Sequence, residues 1–253
     1  ANVFNRAGIP FHQITGTLQD EAAWQELTDW IDASRVAVGM AANRLGILGH
    51  YYNGMLDIYS DFTQQMIFFG GHIELIEVDE LSALRKEFSE PAISNRVSEF
   101  QQLFDIQAEC SKYELERAAR TSLALDTLVE KYDLGSLAYY YKGTGISENE
   151  DTMSSVILGT SLLTTRNIPV AGEYEIKNVQ AMKIMDSFGA GGSFTEYYAM
   201  DYLDDVVLMG HDGPGHIAIA EGKTKVRPLK VYHGKVGNGL SVEMAVKNGP
   251  VTL

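Results

Sequence analysis

Cysteine is nearly absent from the chain: Cys110 is the only one among 253 residues. A single cysteine cannot form an intrachain disulfide, which excludes a disulfide-stabilised fold and predicts a cytoplasmic location. Cys110 lies in "QAECSKYELERAAR", which has a helical pattern. A lone helical cysteine is more often a small apolar packing residue than a nucleophile, so we expect no chemistry from it.

Long apolar runs and positive charge are also scarce. No run approaches the length of about eighteen residues that a transmembrane helix needs, and "ANVFNRAGIPFHQ" lacks the regions of a signal peptide. Lys and Arg total 20 against 34 Asp and Glu, a formal net charge of −14. Nucleic acids and anionic membrane surfaces would repel such a chain, so neither is expected as a partner. Small neutral molecules and cations remain.

Proline is sparse too, at six residues, while 45% of the chain is hydrophobic and 21% is charged. These fractions are typical of folded globular proteins and argue against disordered or fibrous classes. A length of 253 residues suits one large domain or two ordinary ones.

Hydrophobic periodicity predicts alternating strands and helices up to about Gly189. Strands are expected at "LGILGHYYNGM", "HIELIEVDEL" and "SLAYYY". The expected helices are "DEAAWQELTDWIDASRVAVGMAANRL", "MLDIYSDFTQQMIFFG", "SEPAISNRVSEFQQLF", "AECSKYELERAARTSLALDTLVEKYDLG", "DTMSSVILGTSLLTTRN" and "EYEIKNVQAMKIMDSFG". This order predicts an α/β fold with a doubly wound parallel sheet, Rossmann or flavodoxin-like.

After Gly189 the pattern changes to short apolar runs separated by Gly, Pro and Asn. Further strands are expected at "DVVLMGHD", "HIAIAEG", "LKVYH" and "LSVEMAV". The predicted organisation is the end of a first α/β domain at residues 1–46, a central α/β domain at 47–189, and the beginning of an antiparallel β domain at 190–253.

Three glycine-flanked stretches, "GEYEIKN", "GGSFTEYYAMD" and "GHDGPGH", carry Glu173, Glu196 and His211. One nitrogen and two oxygen ligands suit Mn²⁺, Mg²⁺ or Zn²⁺. Two carboxylates at one site can also divide the roles of base and acid, because like charges push their pKa values apart. Residue types alone favour a plainer interpretation, in which Glu173 is a helix-start residue, Glu196 a solvated loop carboxylate and His211 a turn histidine.

A resemblance covers essentially the whole chain, from "NRAGIPFHQITGTLQDEAAW" through "HYYNGMLDIYSDFTQQMIFFGGHIELIEVDEL" to "VAGEYEIKNVQAMKIMDSFGAGGSFTEYYAMDYLDDVVLMGHDGPGH". The sequence resembles the L-arabinose isomerase and L-fucose isomerase superfamily. In L-arabinose isomerases one glutamate precedes a helix, a second follows a "GG(T/S)F" turn and a histidine follows an apolar strand. Glu173, Glu196 and His211 match these positions in order and approximate spacing.

The resemblance implies that these three residues bind a divalent ion, usually Mn²⁺, with Mg²⁺ or Co²⁺ as alternatives. It also implies that Glu173 and Glu196 are catalytic and move protons between C1 and C2 of an aldose through an enediol. A homo-oligomer acting on a pentose or a 6-deoxyhexose is implied as well.

The chain departs from the family pattern in two respects. "HDGPGHIAI" replaces a "HMLEVCP" type of stretch, so the pocket wall and the sugar are expected to differ. Family members also extend further at both ends, so the chain is expected to be a central segment of a longer protein that holds a fourth ligand, a histidine. His233 is a candidate for that ligand within the chain, but it lies too early for the family pattern.

Other residues are expected near the sugar. Tyr52, Asn53 and Met55 follow the first strand of the central domain, where open α/β sheets bind ligands. Tyr141 lies at an equivalent strand end, where an aromatic residue either stacks on a sugar or packs in the core.

Charged neighbours of the three ligands form a second expected group. Lys177, one helical turn past Glu173, is expected to face the same side and contact the sugar or pair on the surface. Asp212 and His216 either join His211 at the metal or belong to a turn and the next strand.

The sequence therefore predicts a metal-dependent aldose-ketose isomerase. Two alternatives stay open: a non-catalytic sugar-binding or regulatory protein on the same scaffold, and an epimerase or lyase with the same metal-enediolate chemistry. A binding protein has no need for the two glutamates and the histidine in ligand order, and product analysis separates the two enzyme classes.

Overall fold

The computed structural model describes residues 1–143, 145–230 and 238–252. The chain divides into two compact units, residues 1–39 and 40–253. The first unit contains helix α1 (Asn2–Ala7) and most of helix α2 (Glu21–Ala42). The Asp20 carboxylate accepts hydrogen bonds from the backbone N–H groups of Ala22 and Ala23, which satisfies donors that a helix leaves free at its start. The domain boundaries expected at residues 46 and 189 stay a prediction.

The second unit begins with a parallel sheet and its helices. Its elements are, in chain order, β1 (Arg44–Gly49), α3 (Phe62–Phe69), β2 (His72–Ile76), α4 (Val78–Leu84), α5 (Glu90–Leu103), β3 (Asp105–Ile106), α6 (Lys112–Tyr132), β4 (Ser136–Tyr140), α7 (Ser147–Met153), α8 (Ile157–Thr165), β5 (Val170–Ala171) and α9 (Ile176–Ser187). The strands that follow are β6 (Glu196–Asp201), β7 (Val206–Gly210), β8 (Lys225–Lys230) and β9 (Asn238–Glu243).

Strands β2, β1, β4 and β5 form, in that order, a four-stranded sheet in which all the pairings are parallel. Successive residues of a strand point to opposite faces, so Ile47 and Leu48 enter two different cores. The core around Leu48 includes Leu125 of α6, and the core around Ile47 includes Val179 of α9. Helices therefore cover the sheet on both sides, and the predicted α/β class with a parallel sheet is confirmed.

Strands β3, β8 and β9 form a second sheet, in which β8 pairs parallel with β3 and antiparallel with β9. Val226 and Leu240 of this sheet pack in a third core with Phe100 of α5, Leu115 of α6 and Leu162 of α8. The β8–β9 hairpin is thus anchored on helices of the central segment. Strands β6 and β7 form a separate antiparallel pair.

Several segments differ from the expectation. "HIAIAEG" was expected to be a strand, and this is wrong: Ile217–Ile219 forms a single 3₁₀ turn. The hydroxyls of Ser161 and Thr165 on α8 accept hydrogen bonds from the backbone N–H groups of Gly215 and Ile217, so these donors are not available to a neighbouring strand.

Three further segments are each divided into two elements. "DTMSSVILGTSLLTTRN" forms α7 and α8, "HIELIEVDEL" forms β2 and the start of α4, and "MLDIYSDFTQQMIFFG" forms a 3₁₀ turn and α3. Asp61 begins α3 because its carboxylate accepts hydrogen bonds from the backbone of Thr63 and Gln64. Among the described residues, no helix has both the length and the apolar character needed to cross a bilayer.

Candidate metal centre

Glu173, Glu196 and His211 come together in the second unit, although they are far apart in the sequence. One carboxylate oxygen of each glutamate and one ring nitrogen of His211 all lie within 4.8 Å of one another. His211 Nδ1 is 3.4 Å from Glu196 Oε2. Glu173 is only 6% exposed, and the side chains of His211 and Glu196 are 7% and 35% exposed. The three residues form one cluster that opens to solvent on the side of Glu196.

The backbone at Glu173 has an unusual conformation. Glu173 and Tyr174 have φ angles of 58° and 68°, in the left-handed region that costs a non-glycine residue roughly 1–2 kcal/mol. The turn is held by hydrogen bonds from Tyr174 N to Tyr139 O (3.0 Å) and from Glu175 N to Gly172 O (2.9 Å). The expectation that Glu173 starts a helix is wrong, since α9 begins at Ile176 with Glu175 as its capping residue.

The β6–β7 hairpin positions the other two members of the cluster. Glu196 is the first residue of β6 and pairs with Gly210, the last residue of β7. His211 directly follows Gly210, so the antiparallel register places the imidazole beside the glutamate. Glu196 is thus at the start of a strand and not in a loop, the alternative that residue type alone allowed.

Two glycines leave space for the ring of His211, because they have no side chain. A Cβ atom at Gly172 would lie 3.4 Å from His211 Nε2, and one at Gly213 would lie 2.7 Å from the same atom. At Gly213 a side chain would therefore displace the ring. On another side the ring of Phe194 contacts His211, with the ring centroids 4.1 Å apart. The glycine content of the motifs thus permits a close approach of backbone to the imidazole.

The cluster fits a divalent cation in its donor chemistry. Two carboxylates within 4.8 Å of one another repel when both are ionised, and burial of Glu173 strengthens that repulsion. A cation between them would remove the repulsion, and His211 adds a nitrogen ligand. Oxygen and imidazole ligands suit Mn²⁺, Mg²⁺, Co²⁺ and Zn²⁺, so residue type does not choose among these ions.

A cavity of about 60 Å³ lies beside the cluster, with Glu173, His211 and Asp212 in its wall. It is bounded by the carboxyl end of β4, the turn between α7 and α8, and the β8–β9 hairpin. Its volume equals roughly four water sites at about 15 Å³ each, which is the scale of part of a small ligand. Asp212 lies in the same cavity wall as His211, and its contact with a sugar or a metal stays a prediction.

The other predicted contact residues lie elsewhere. Lys177 donates a hydrogen bond from Nζ to Asp57 O (2.7 Å) and is not one helical turn from Glu173. The ring of Tyr52 packs against that of Tyr140, with the centroids 4.9 Å apart and the planes tilted by 33°, and Tyr141 packs in a core. Among the described residues of the cavity wall, these three do not occur.

Four other residues were predicted to contact the sugar or the metal: Asn53, Met55, His216 and His233. Asn53 is exposed and Met55 is half-buried, and neither is in the described part of the cavity wall. His216 is 6% exposed and begins the 3₁₀ turn, so it is not in the cluster around His211. His233 lies outside the described residues.

Two tyrosines of the cavity wall are strongly perturbed. Burial, with smaller contributions from the nearby Tyr52 and Glu173, raises the pKa of Tyr140 to about 12. Burial likewise raises the pKa of Tyr139 far above its ordinary value, and the charge of Glu173 adds to the effect. Both phenols therefore stay protonated at neutral pH.

Three residues of the site were not identified from the sequence: Phe194, which contacts His211, and Ser154 and Ser241, which lie in the cavity wall. Phe194 belongs to the "GGSFTE" stretch, and its proximity to Glu196 was the available signal. Ser154 and Ser241 carry no comparable signal, because the break between α7 and α8 and the position of β9 depend on tertiary packing.

In comparisons with known proteins, no family model and no curated protein matches the chain.

Proposed function

We propose that the chain is a metal-dependent aldose-ketose isomerase, similar to the L-arabinose and L-fucose isomerases, acting on a pentose or a 6-deoxyhexose. The observation that supports this proposal is the meeting of Glu173, Glu196 and His211 within 4.8 Å. The ordered pair of carboxylates distinguishes an isomerase from a protein that only binds sugar. A homo-oligomeric state and a cytoplasmic location stay predictions.

In this proposal Glu173, Glu196 and His211 hold the divalent cation, for which Mn²⁺ is the leading candidate. A bound cation would supply Lewis-acid polarisation of the sugar carbonyl. One carboxylate removes the proton from C2 of the aldose as the C1 carbonyl becomes the enediol, and returns a proton to C1. The other carboxyl group moves the proton between O2 and O1, so that the ketose forms without net loss of protons.

Each carboxylate has a different environment for these roles. Glu173 is buried and its backbone is fixed by hydrogen bonds on both sides, which holds its oxygen atoms in place. Glu196 is about one-third exposed, so it can exchange protons with solvent between turnovers. We assign carbon proton transfer to Glu173 and oxygen proton transfer to Glu196.

The order of the parallel strands supports this position for a ligand site. From β1 the chain crosses to β2 on one side, and later from β4 to β5 on the other. We infer a doubly wound topology, in which ligands bind at the carboxyl ends of the strands where the winding direction changes. Tyr139 and Tyr140 at the end of β4 and Glu173 after β5 lie at that edge.

Calorimetry with Mn²⁺ tests the metal site. The wild-type chain is expected to bind one equivalent, and Glu196→Gln is expected to weaken binding at least tenfold, because a carboxylate ligand is lost. Asp204→Asn is a matched control, since Asp204 is an exposed acid at the tip of the same hairpin. Equal weakening by both variants would show that overall negative charge attracts the ion and would contradict a site at Glu196.

The reaction is tested by incubating the longest available form of the protein, loaded with Mn²⁺, with L-arabinose and L-fucose and identifying the products. Ketose formation that is lost in Glu173→Gln would support the proposal. Metal and sugar binding without turnover would favour the binding-protein alternative, and an epimeric aldose or a cleaved product would favour the epimerase or lyase.

A further inference from the structure

One wall of the cavity is formed by residues outside the metal cluster. Met153, Ser154 and Ile157 come from the α7–α8 region, and Leu240 and Ser241 come from β9. Three of these five side chains are apolar, so the two hydroxyl groups are the polar features that this wall offers to a ligand. A cavity that is mostly apolar with few polar groups is typical of small-molecule sites, where the polar groups set orientation.

The Ser154 hydroxyl is already engaged. Its Oγ accepts a hydrogen bond from Arg117 Nη1 (2.8 Å) and donates one to Asp151 O (3.2 Å). This hydroxyl therefore has no proton left to donate to a ligand.

The Ser241 hydroxyl is in a different state. Ser241 is 5% exposed, and its side chain makes no hydrogen bond within the described part of the chain. Its Oγ is not sealed from solvent, so it lies at the cavity surface, where water or a ligand can reach it. The position thus has the character of a binding contact, because a ligand in the cavity would supply the missing partner.

We propose that Ser241 determines specificity by hydrogen bonding to one sugar hydroxyl that does not contact the metal. This inference rests on the proposed function, since it assigns a second contact to the ligand held at Glu173, Glu196 and His211. The cavity wall contains the acids Glu173 and Asp212, with Lys230 as the cation among its described residues. Glu173, Glu196 and Asp212 contribute three negative charges, and a bound divalent cation together with Lys230 would contribute three positive ones. The loaded site would then carry no net charge, so the partner of Ser241 is a neutral polyol.

The test is a set of binding measurements by calorimetry on the full chain in the presence of Mn²⁺. The ligands are L-arabinitol and its 3-deoxy, 4-deoxy and 5-deoxy analogues, and the proteins are wild type and Ser241→Ala. The substitution is small and removes no hydrogen bond of the described structure, so the fold is expected to be kept. Ser98→Ala is the control, since Ser98 is an exposed serine on α5.

Ser241→Ala is expected to weaken L-arabinitol binding about three- to tenfold, the range of one neutral hydrogen bond. Exactly one deoxy analogue should bind the wild type and Ser241→Ala equally well, because it lacks the hydroxyl that Ser241 contacts. If Ser241→Ala weakens binding of all four ligands equally, or of none, while Mn²⁺ still binds, the role of Ser241 is overturned. Absence of any polyol binding by the wild type would also overturn the role of Ser241. The metal site itself is tested separately, by comparing Mn²⁺ binding of the wild type and Glu196→Gln.

Discussion

Arg117 joins three parts of the second unit through one guanidinium group. Its side chain is 7% exposed. From α6 it bonds Glu114 (2.7 Å) on its own helix, Asp151 Oδ1 (3.0 Å) and Ser154 Oγ (2.8 Å) at the end of α7, and the carbonyl of Asn238 in β9. The fork geometry of arginine allows all of these contacts at once. The guanidinium therefore fixes β9 against the helices that form the cavity wall.

Replacing Arg117 with Met tests this function, because methionine keeps the apolar stem and removes every donor. Loss of one partner of a buried ion pair costs about 3–5 kcal/mol. Asp151 is 38% exposed and Glu114 is 20% exposed, so water can solvate part of the charge that is left. We therefore expect the free energy of unfolding to fall by about 3 kcal/mol, at the lower end of that range.

Arg120 on the same helix provides the control. It pairs with Glu90, which is 73% exposed, and a surface pair of this kind contributes at most about 1 kcal/mol. Urea denaturation of the wild type, Arg117→Met and Arg120→Met measures both values. A loss in Arg117→Met that does not exceed the loss in Arg120→Met would refute the role assigned to the buried guanidinium.

Two further predictions concern stability. A Cβ atom at Gly239 would lie 2.0 Å from the carbonyl oxygen of Ser154, so Gly239→Ala is expected to lower the free energy of unfolding by about 1–3 kcal/mol in urea denaturation. Gly192→Ala, whose Cβ would meet atoms only at 3.9 Å, should change it by less than about 1 kcal/mol; equal effects would contradict the close approach of β9. Burial lowers the pKa of His216, against the opposing charge of Asp186, so its contribution to stability is complete above pH 6.5 and is lost as pH falls through the lower folded pKa. The stability advantage of wild type over His216→Gln should therefore shrink between pH 7 and pH 5, and a constant difference would show that the histidine is not desolvated.

Long periodic segments were predictable from the sequence. Helices α2, α6 and α9 and strand β4 lie within the segments whose apolar spacing indicated them, and β1 begins one residue before its predicted segment. Glu173, Glu196 and His211 were also identified from their motifs and the family resemblance, and the structure brings them together. Apolar spacing was therefore sufficient to predict long helices and strands, and the motifs were sufficient to identify the residues of the cluster.

Features that depend on tertiary contacts were not predictable. The left-handed backbone at Glu173 is maintained by hydrogen bonds from residues far apart in sequence, and no local pattern indicates it. The apolar alternation of "HIAIAEG" suggested a strand, but hydroxyls of α8 accept the N–H groups that a strand would have used. The cavity wall at Ser241 depends on β9 reaching helices from residues 90–165, which short-range spacing does not reveal.

Glu173, Glu196 and His211 come from three separate segments of the chain. A cation held by all of them would therefore be a reversible crosslink closing loops of 23 and 15 residues (196 − 173 and 211 − 196). A covalent bridge that closes a loop of such a length raises the free energy of unfolding by about 3 kcal/mol. A chain whose single cysteine cannot form a bridge of its own would gain that constraint from a metal, and its thermal stability would then report the free concentration of that metal.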